Sequence, residues 1–245
     1  LRDTTVDLSR DTDIADRLGL WRDSRGRVPR YAEPLLAGNA ALELRMPVER
    51  GVTRKHLTPR AVIVAAAHAP QSAIDNGSGS AFTRHLVRRM RGRGATLTSS
   101  LREASRFAAQ SNATGTAVAV SSVPIARTRA LLIGNSRYTN SSVLAGAAQD
   151  PGHMRTGLLA LGVPAAAIRT NADLAAPELI RTIVTELDAS RRGDRTLIYF
   201  SGHGADGALV GTGDESLVSL RTGPVAQAIR AAEARGVEVV IIVDA

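Results

Sequence analysis

Two apolar runs late in the chain each give way to reactive polar groups. Thr196-Leu197-Ile198-Tyr199-Phe200 leads into Ser201-Gly202-His203-Gly204, and Glu238-Val239-Val240-Ile241-Ile242-Val243 leads into Asp244-Ala245. Both are short, rich in β-branched residues and apolar without alternation. That pattern predicts parallel strands covered on both faces. Sites in open α/β sheets lie beyond the carboxyl ends of such strands. A histidine and an aspartate delivered by two strand ends would share one crevice.

The remaining pattern is read in the same way. Strands are expected at 60–67, 116–123, 130–133 and 168–170. Helices are expected at 81–90, where Phe82, Leu86 and Met90 form one stripe, and at 97–110, with Leu101, Ala104 and Ala108 inward. Asp150 can cap a third helix with Pro151 at its first position; Met154, Leu158, Leu159 and Leu161 give it an apolar face and Gly162 ends it. Pro177 starts a fourth helix, with Ile180, Ile183, Val184 and Leu187 inward. Pro224 starts a fifth, with Val225, Ala228, Ile229 and Ala232 inward. Ala205 to Leu220 reads as a long solvated loop around Asp206, Asp214 and Glu215. Residues 1–60 show only a helix-like stretch at 3–17 and a short strand-like one at 40–50. Strands alternating with helices predict a parallel α/β sheet.

Composition narrows the function. The chain has 245 residues, 44% hydrophobic but only 3% aromatic, so its core is built from Ala, Val, Leu and Ile. No apolar run approaches the roughly 18 residues of a membrane span, and a cytoplasmic location with no membrane partner is expected. The net charge is +8, yet no basic run is interleaved with aromatics, so no nucleic-acid partner is expected. Lys55 is the only lysine among 31 basic residues, an arginine bias that suits a GC-rich genome. The arginines from Arg84 to Arg93 read as a solvated helix face. Cysteine is absent, which excludes disulfides and thiolate metal sites. No histidine pair has metal-ligand spacing. The chain opens on Leu1 and closes on an apolar strand, as a fragment would.

The strand ending in Ser201-Gly202-His203-Gly204 and the strand ending in Asp244-Ala245 resemble the caspase-like cysteine peptidases, closest to the metacaspase and bacterial orthocaspase branch. A second resemblance precedes it: the strand at 60–67, Gly79-Ser80-Ala81-Phe82-Thr83 and two helices look like the later half of such a domain. Residues 1–126 thus resemble its C-terminal, small-subunit half, and 127–245 its N-terminal, large-subunit half, ending before the nucleophile. A tandem fragment with a neighbouring caspase-like domain, or a circular permutant, would give this order. Either way the halves offer complementary edges and are expected to form one continuous sheet. The resemblance implies a three-layer α/β/α fold, a mostly parallel sheet with helices on both faces.

It also implies chemistry. His203 would be the general acid/base and the Gly204 N–H half of the oxyanion hole. The family's cysteine would stand one residue past Ala245, so the chain as it stands is expected to be inactive. Asp150 and Asp244, with Ser201 lining the same pocket, would hold a substrate Arg or Lys through charge-assisted bonds. Arg137 is the alternative, since caspases hold aspartate with arginines. The partner is a protein or peptide substrate. No resident cofactor is expected; calcium at Asp206, Asp214 and Glu215 is the one alternative, and the spacing is no EF-hand. The competing function is a non-catalytic pseudopeptidase that regulates or scaffolds a partner. An unrelated hydrolase pairing Ser201 with His203 lacks a Gly-x-Ser-x-Gly elbow.

Overall fold

The structure is a computed structural model that describes residues 61–66, 78–110, 123–205 and 207–245. Its centre is a five-stranded parallel sheet of β1 (Ala61–Ala65), β2 (Thr128–Gly134), β3 (Ile168–Ala172), β4 (Arg195–Ser201) and β8 (Glu238–Asp244), in the spatial order β1-β8-β4-β2-β3. The helices are α1 (Ala81–Met90), α2 (Leu97–Gln110), α3 (Asp150–Leu161), α4 (Ala176–Asp188) and α5 (Gly223–Ala234). A small antiparallel sheet of β5 (Gly204–Ala205), β6 (Ala208–Val210) and β7 (Leu217–Ser219) follows β4.

The period of two along the central strands divides the core into two layers. Ala130, Leu132, Leu197, Tyr199, Val240 and Ile242 face α1, α2 and α3. Leu131, Ile133, Ile198, Phe200, Val239 and Ile241 face α4 and α5. Burying each Val, Leu, Ile or Phe among them contributes roughly 1.5–3 kcal/mol relative to leaving it exposed. The fold is therefore α/β/α, with the sheet sealed on both faces. β1 joins it by pairing in parallel with β8, Ala61 opposite Val239. β1 and the strands within 127–245 thus share one sheet, and α1 lies against α3 through Val87, Met90 and Gly157.

Four expectations change. Asp150 is not the cap of α3: Gln149 holds that position without a side-chain bond, and the Asp150 carboxylate turns elsewhere. The stretch 205–220 is not a long loop but the β5-β6-β7 meander, whose Leu209 and Val218 are buried against α4 and α5. Leu159 is exposed, whereas Met154 and Leu158 carry the inner face of α3. On α4 it is Leu179 that completes the buried stripe with Ile183 and Leu187; Ile180 and Val184 lie at its margin. The expected elements within 1–60, the strand at 116–122, and the inward side chain of Ala108 lie outside the described residues.

At the amino edge of the sheet, buried charges meet opposite charges. Arg195 Nε donates to Glu238 Oε1 at 2.6 Å, with only 3% and 5% of the two side chains exposed. Arg129 and Arg169 both reach the fully buried Glu186, at 2.9 and 3.0 Å.

Candidate active site

At the opposite, carboxyl edge, register locks the ends of β4 and β8 side by side. Ser201 pairs with Asp244, and the Gly202 N–H donates to the Asp244 carbonyl at 3.2 Å. His203 and Gly204 leave the sheet there, and Ala245 emerges beside them. A Cβ on Gly204 would lie 2.7 Å from the Ala245 Cβ, so only glycine lets the two backbones approach this closely. Gly204 stands opposite Leu209, while the Val210 N–H donates to the His203 carbonyl. In an antiparallel ladder hydrogen-bonded pairs alternate with non-bonded ones. The 204–209 pair is then a non-bonded one, and the Gly204 N–H turns away from β6.

His203 is half-buried and held at two points. Its backbone N–H donates to the Tyr138 hydroxyl at 2.8 Å, and the two rings lie 4.5 Å apart, tilted by 59°. A Cβ on Gly202 would collide with that hydroxyl. Burial pushes the Tyr138 hydroxyl pKa well up, so it stays a neutral group at physiological pH. The imidazole Nε2 lies 2.9 Å from the Ser142 carbonyl. A carbonyl can only accept, so Nε2 carries the proton and Nδ1 of the neutral ring keeps its lone pair.

Behind this edge two carboxylates converge. Asp150 Oδ2 accepts from Ser201 Oγ at 2.8 Å and Asp150 Oδ1 from the Ser80 N–H at 3.0 Å. Asp244 Oδ1 accepts from Ser80 Oγ at 2.8 Å, and Oδ2 from Thr83 Oγ1 and, at 3.4 Å, Tyr199. Ser80 is also the N-cap of α1, its Oγ accepting from the Phe82 and Thr83 N–H groups. One serine thus bridges both acids and starts the helix. Both acids are almost fully buried. Burial pushes the Asp244 pKa up to about 7; the Asp150 charge adds to the rise and the Ser80 and Thr83 hydroxyls oppose it. The same burial and both acids drive the Tyr199 hydroxyl far above its ordinary range.

Asp150, Ser201 and Asp244 therefore form one network, next to the strand end that bears His203. Arg137 stands apart from it: its Nε donates to Asp173 at 2.7 Å, and Asp173 also accepts the Ser136 and Arg137 N–H groups. His153 is half-buried, Nδ1 3.8 Å from Asp150 Oδ1.

The acidic loop is rearranged relative to expectation. Glu215 is fully buried, not solvated, and its carboxylate accepts the Asn140 and Ser141 N–H groups and the Ser141 hydroxyl. Asp214 accepts from the Ser216 N–H and hydroxyl. Asp206, His56 and His68 lie outside the described residues. Among the described residues no group of three His, Asp or Glu side chains is arranged to hold a metal ion, and no helix is long and apolar enough to cross a membrane.

Sequence reasoning missed Tyr138 and Ser142, and placed Glu215 in a solvated loop. Only the rarity of tyrosine, three in the chain, singles out Tyr138 in an otherwise polar loop.

In comparison with known families, the model of the caspase domain matches residues 127–245. This supports a caspase-like fold for the segment that carries both strand ends. No curated protein matches the chain.

Proposed function

We propose that this chain carries the histidine half of a caspase-like cysteine endopeptidase of the metacaspase or orthocaspase type. The observation behind this reading is the pairing of Ser201 with Asp244, which sets His203 and Gly204 beside Ala245. A thiol on the residue after Ala245 would emerge next to both and give its proton to His203 Nδ1, becoming a thiolate. It would attack the scissile carbonyl carbon, and the carbonyl π electrons would move onto oxygen, facing the Gly204 N–H. Collapse expels the amine, which takes its proton from His203, and leaves a thioester. Water then attacks the thioester, giving its proton to His203, and the thiolate departs. Nδ1, the nitrogen with the lone pair, is the one suited to this exchange.

Asp150 and Asp244 favour a basic residue on the acyl side of the cut, and Arg137, tied to Asp173, does not compete for that role. Ser80 stands between the two acids, so a substrate arginine or lysine would have to displace its hydroxyl from Asp244. The second reading, a pseudopeptidase that binds partners without cleaving them, is favoured by the absence of cysteine from these 245 residues.

The test appends a cysteine after Ala245 and assays fluorogenic peptides ending in Arg, Lys or Asp. The expected result is hydrolysis after Arg or Lys that His203→Ala lowers about 10²–10⁴-fold. Hydrolysis after Asp would remove the roles given to Asp150 and Asp244. No turnover from a folded protein would favour the pseudopeptidase.

A further inference from the structure

The feature that the proposed chemistry leaves unused is Glu215. It sits on the β6–β7 turn, fully buried, in a left-handed backbone conformation with φ 56°. Glutamate adopts that region only where surrounding contacts hold it there. No basic side chain among the described residues forms an ion pair with it. Instead Oε1 accepts the N–H groups of Asn140 and Ser141, and Oε2 accepts the Ser141 hydroxyl at 2.6 Å. Three donors converging on one buried carboxylate fix the segment that ends at Ser142. The Ser142 carbonyl is the acceptor for His203 Nε2. The same segment begins at Tyr138, whose hydroxyl accepts the His203 N–H.

We infer that Glu215 is a positioning residue for His203: by clamping residues 140–141 it aims the Ser142 carbonyl at Nε2 and so selects the tautomer with Nδ1 unprotonated. The inference rests on the reading of His203 as the acid/base, but its geometry involves neither nucleophile nor substrate. The chain of contact runs from the carboxylate to the Ser141 N–H, through the backbone to the Ser142 carbonyl two peptide units on, and to the imidazole. A hydroxyl or amide could accept these N–H groups without burying a charge. A charged acceptor makes shorter and roughly twofold stronger bonds than a neutral one, which suits a loop that must not wander.

The experiment is long-range 1H–15N NMR of the histidine side chains in the chain as it stands, with His203 assigned by His203→Gln. The wild type is expected to show widely split ring nitrogens, the mark of a single tautomer, with the proton on Nε2. Glu215→Ala should draw the two nitrogen shifts together and expose Nε2–H to solvent exchange, while the β4 and β8 amide resonances keep their positions. Glu215→Gln, which can still accept the two N–H groups through its carbonyl, should restore most of the splitting. If Glu215→Ala does not fold, Glu215→Asp, which withdraws the oxygens by one methylene, is read in the same way. Unchanged His203 shifts in a folded Ala or Asp variant would overturn the inference. So would a wild type that already shows averaged tautomers. Because no turnover is measured, failure here leaves the peptidase reading standing, and failure of the peptide assay leaves this result intact.

Discussion

The two edges of the central sheet treat buried charge in opposite ways. At the amino edge Arg195 meets Glu238, and Glu186 receives Arg129 and Arg169. At the carboxyl edge Asp150 and Asp244 are buried just as deeply, yet the bonds that join them into one network come from the Ser80, Thr83 and Ser201 hydroxyls and the Ser80 N–H, with His153 Nδ1 3.8 Å from Asp150. A buried ion pair is stabilising chiefly in that breaking it is worse. Two like charges held by hydroxyls are a standing cost, tolerable when protonation can relieve it. The first arrangement suits a part whose task is to stay folded. The second is the arrangement that the proposed binding of a substrate cation would use.

The contrast can be broken at three levels. Glu238→Ala leaves Arg195 buried without its counterion and should cost about 3–5 kcal/mol, measured as the shift in urea unfolding at pH 7; a loss below about 1 kcal/mol would mean the pair is not what holds that edge. Asp244→Asn tests the other edge through pH. The folded carboxyl titrates near 7, the unfolded one near 3.9. Between about pH 4 and 7 the folded protein therefore keeps a proton that the unfolded chain releases, so stability should fall as pH rises and level off above 7. The three-unit rise sets a ceiling on the order of 4 kcal/mol for that swing. The Asn variant should lack it and gain on the wild type as pH increases; parallel stability profiles for the two proteins would sink the assignment. The smallest effect is expected at Arg127, half-exposed on Asp194. Arg127→Ala should cost no more than about 1 kcal/mol, and a loss as large as that of Glu238→Ala would show that burial is not what separates these pairs.

The strands were legible because a strand buried on both faces must be apolar at every position, and Leu197 to Phe200 or Val239 to Ile242 admit no other reading. The helices were legible where a stripe met the sheet, less so at Leu159, which the pattern counted as inward. The β5-β6-β7 meander was not legible. Its strands are two or three residues long, and Gly204, Gly207, Gly211 and Gly213 supply turn chemistry that reads as loop. Glu215 was misread for the same reason: Gly213-Asp214-Glu215-Ser216 looks solvated, and only the position of a loop 75 residues earlier makes its carboxylate an inward group. The identities of His203, Asp244 and Ser201 stand out at strand ends. The bridge through Ser80 does not, because no local pattern says that a helix cap will also join two distant acids.

That bridge has a consequence for how the molecule assembles. Ser80 and Asp244 lie 164 residues apart in sequence, and β1 finds its only partner among the described strands in β8. Closing so long a loop is an entropic barrier that local contacts cannot offset in advance. The sheet β8-β4-β2-β3 can form from neighbours in the second half of the chain, whereas the acid network must wait for β1 and α1 to arrive. The acid network is then expected to be completed after that sheet, when Ser80 arrives. A refolding trace should show the sheet's far-ultraviolet signal recover before the Tyr199 environment does.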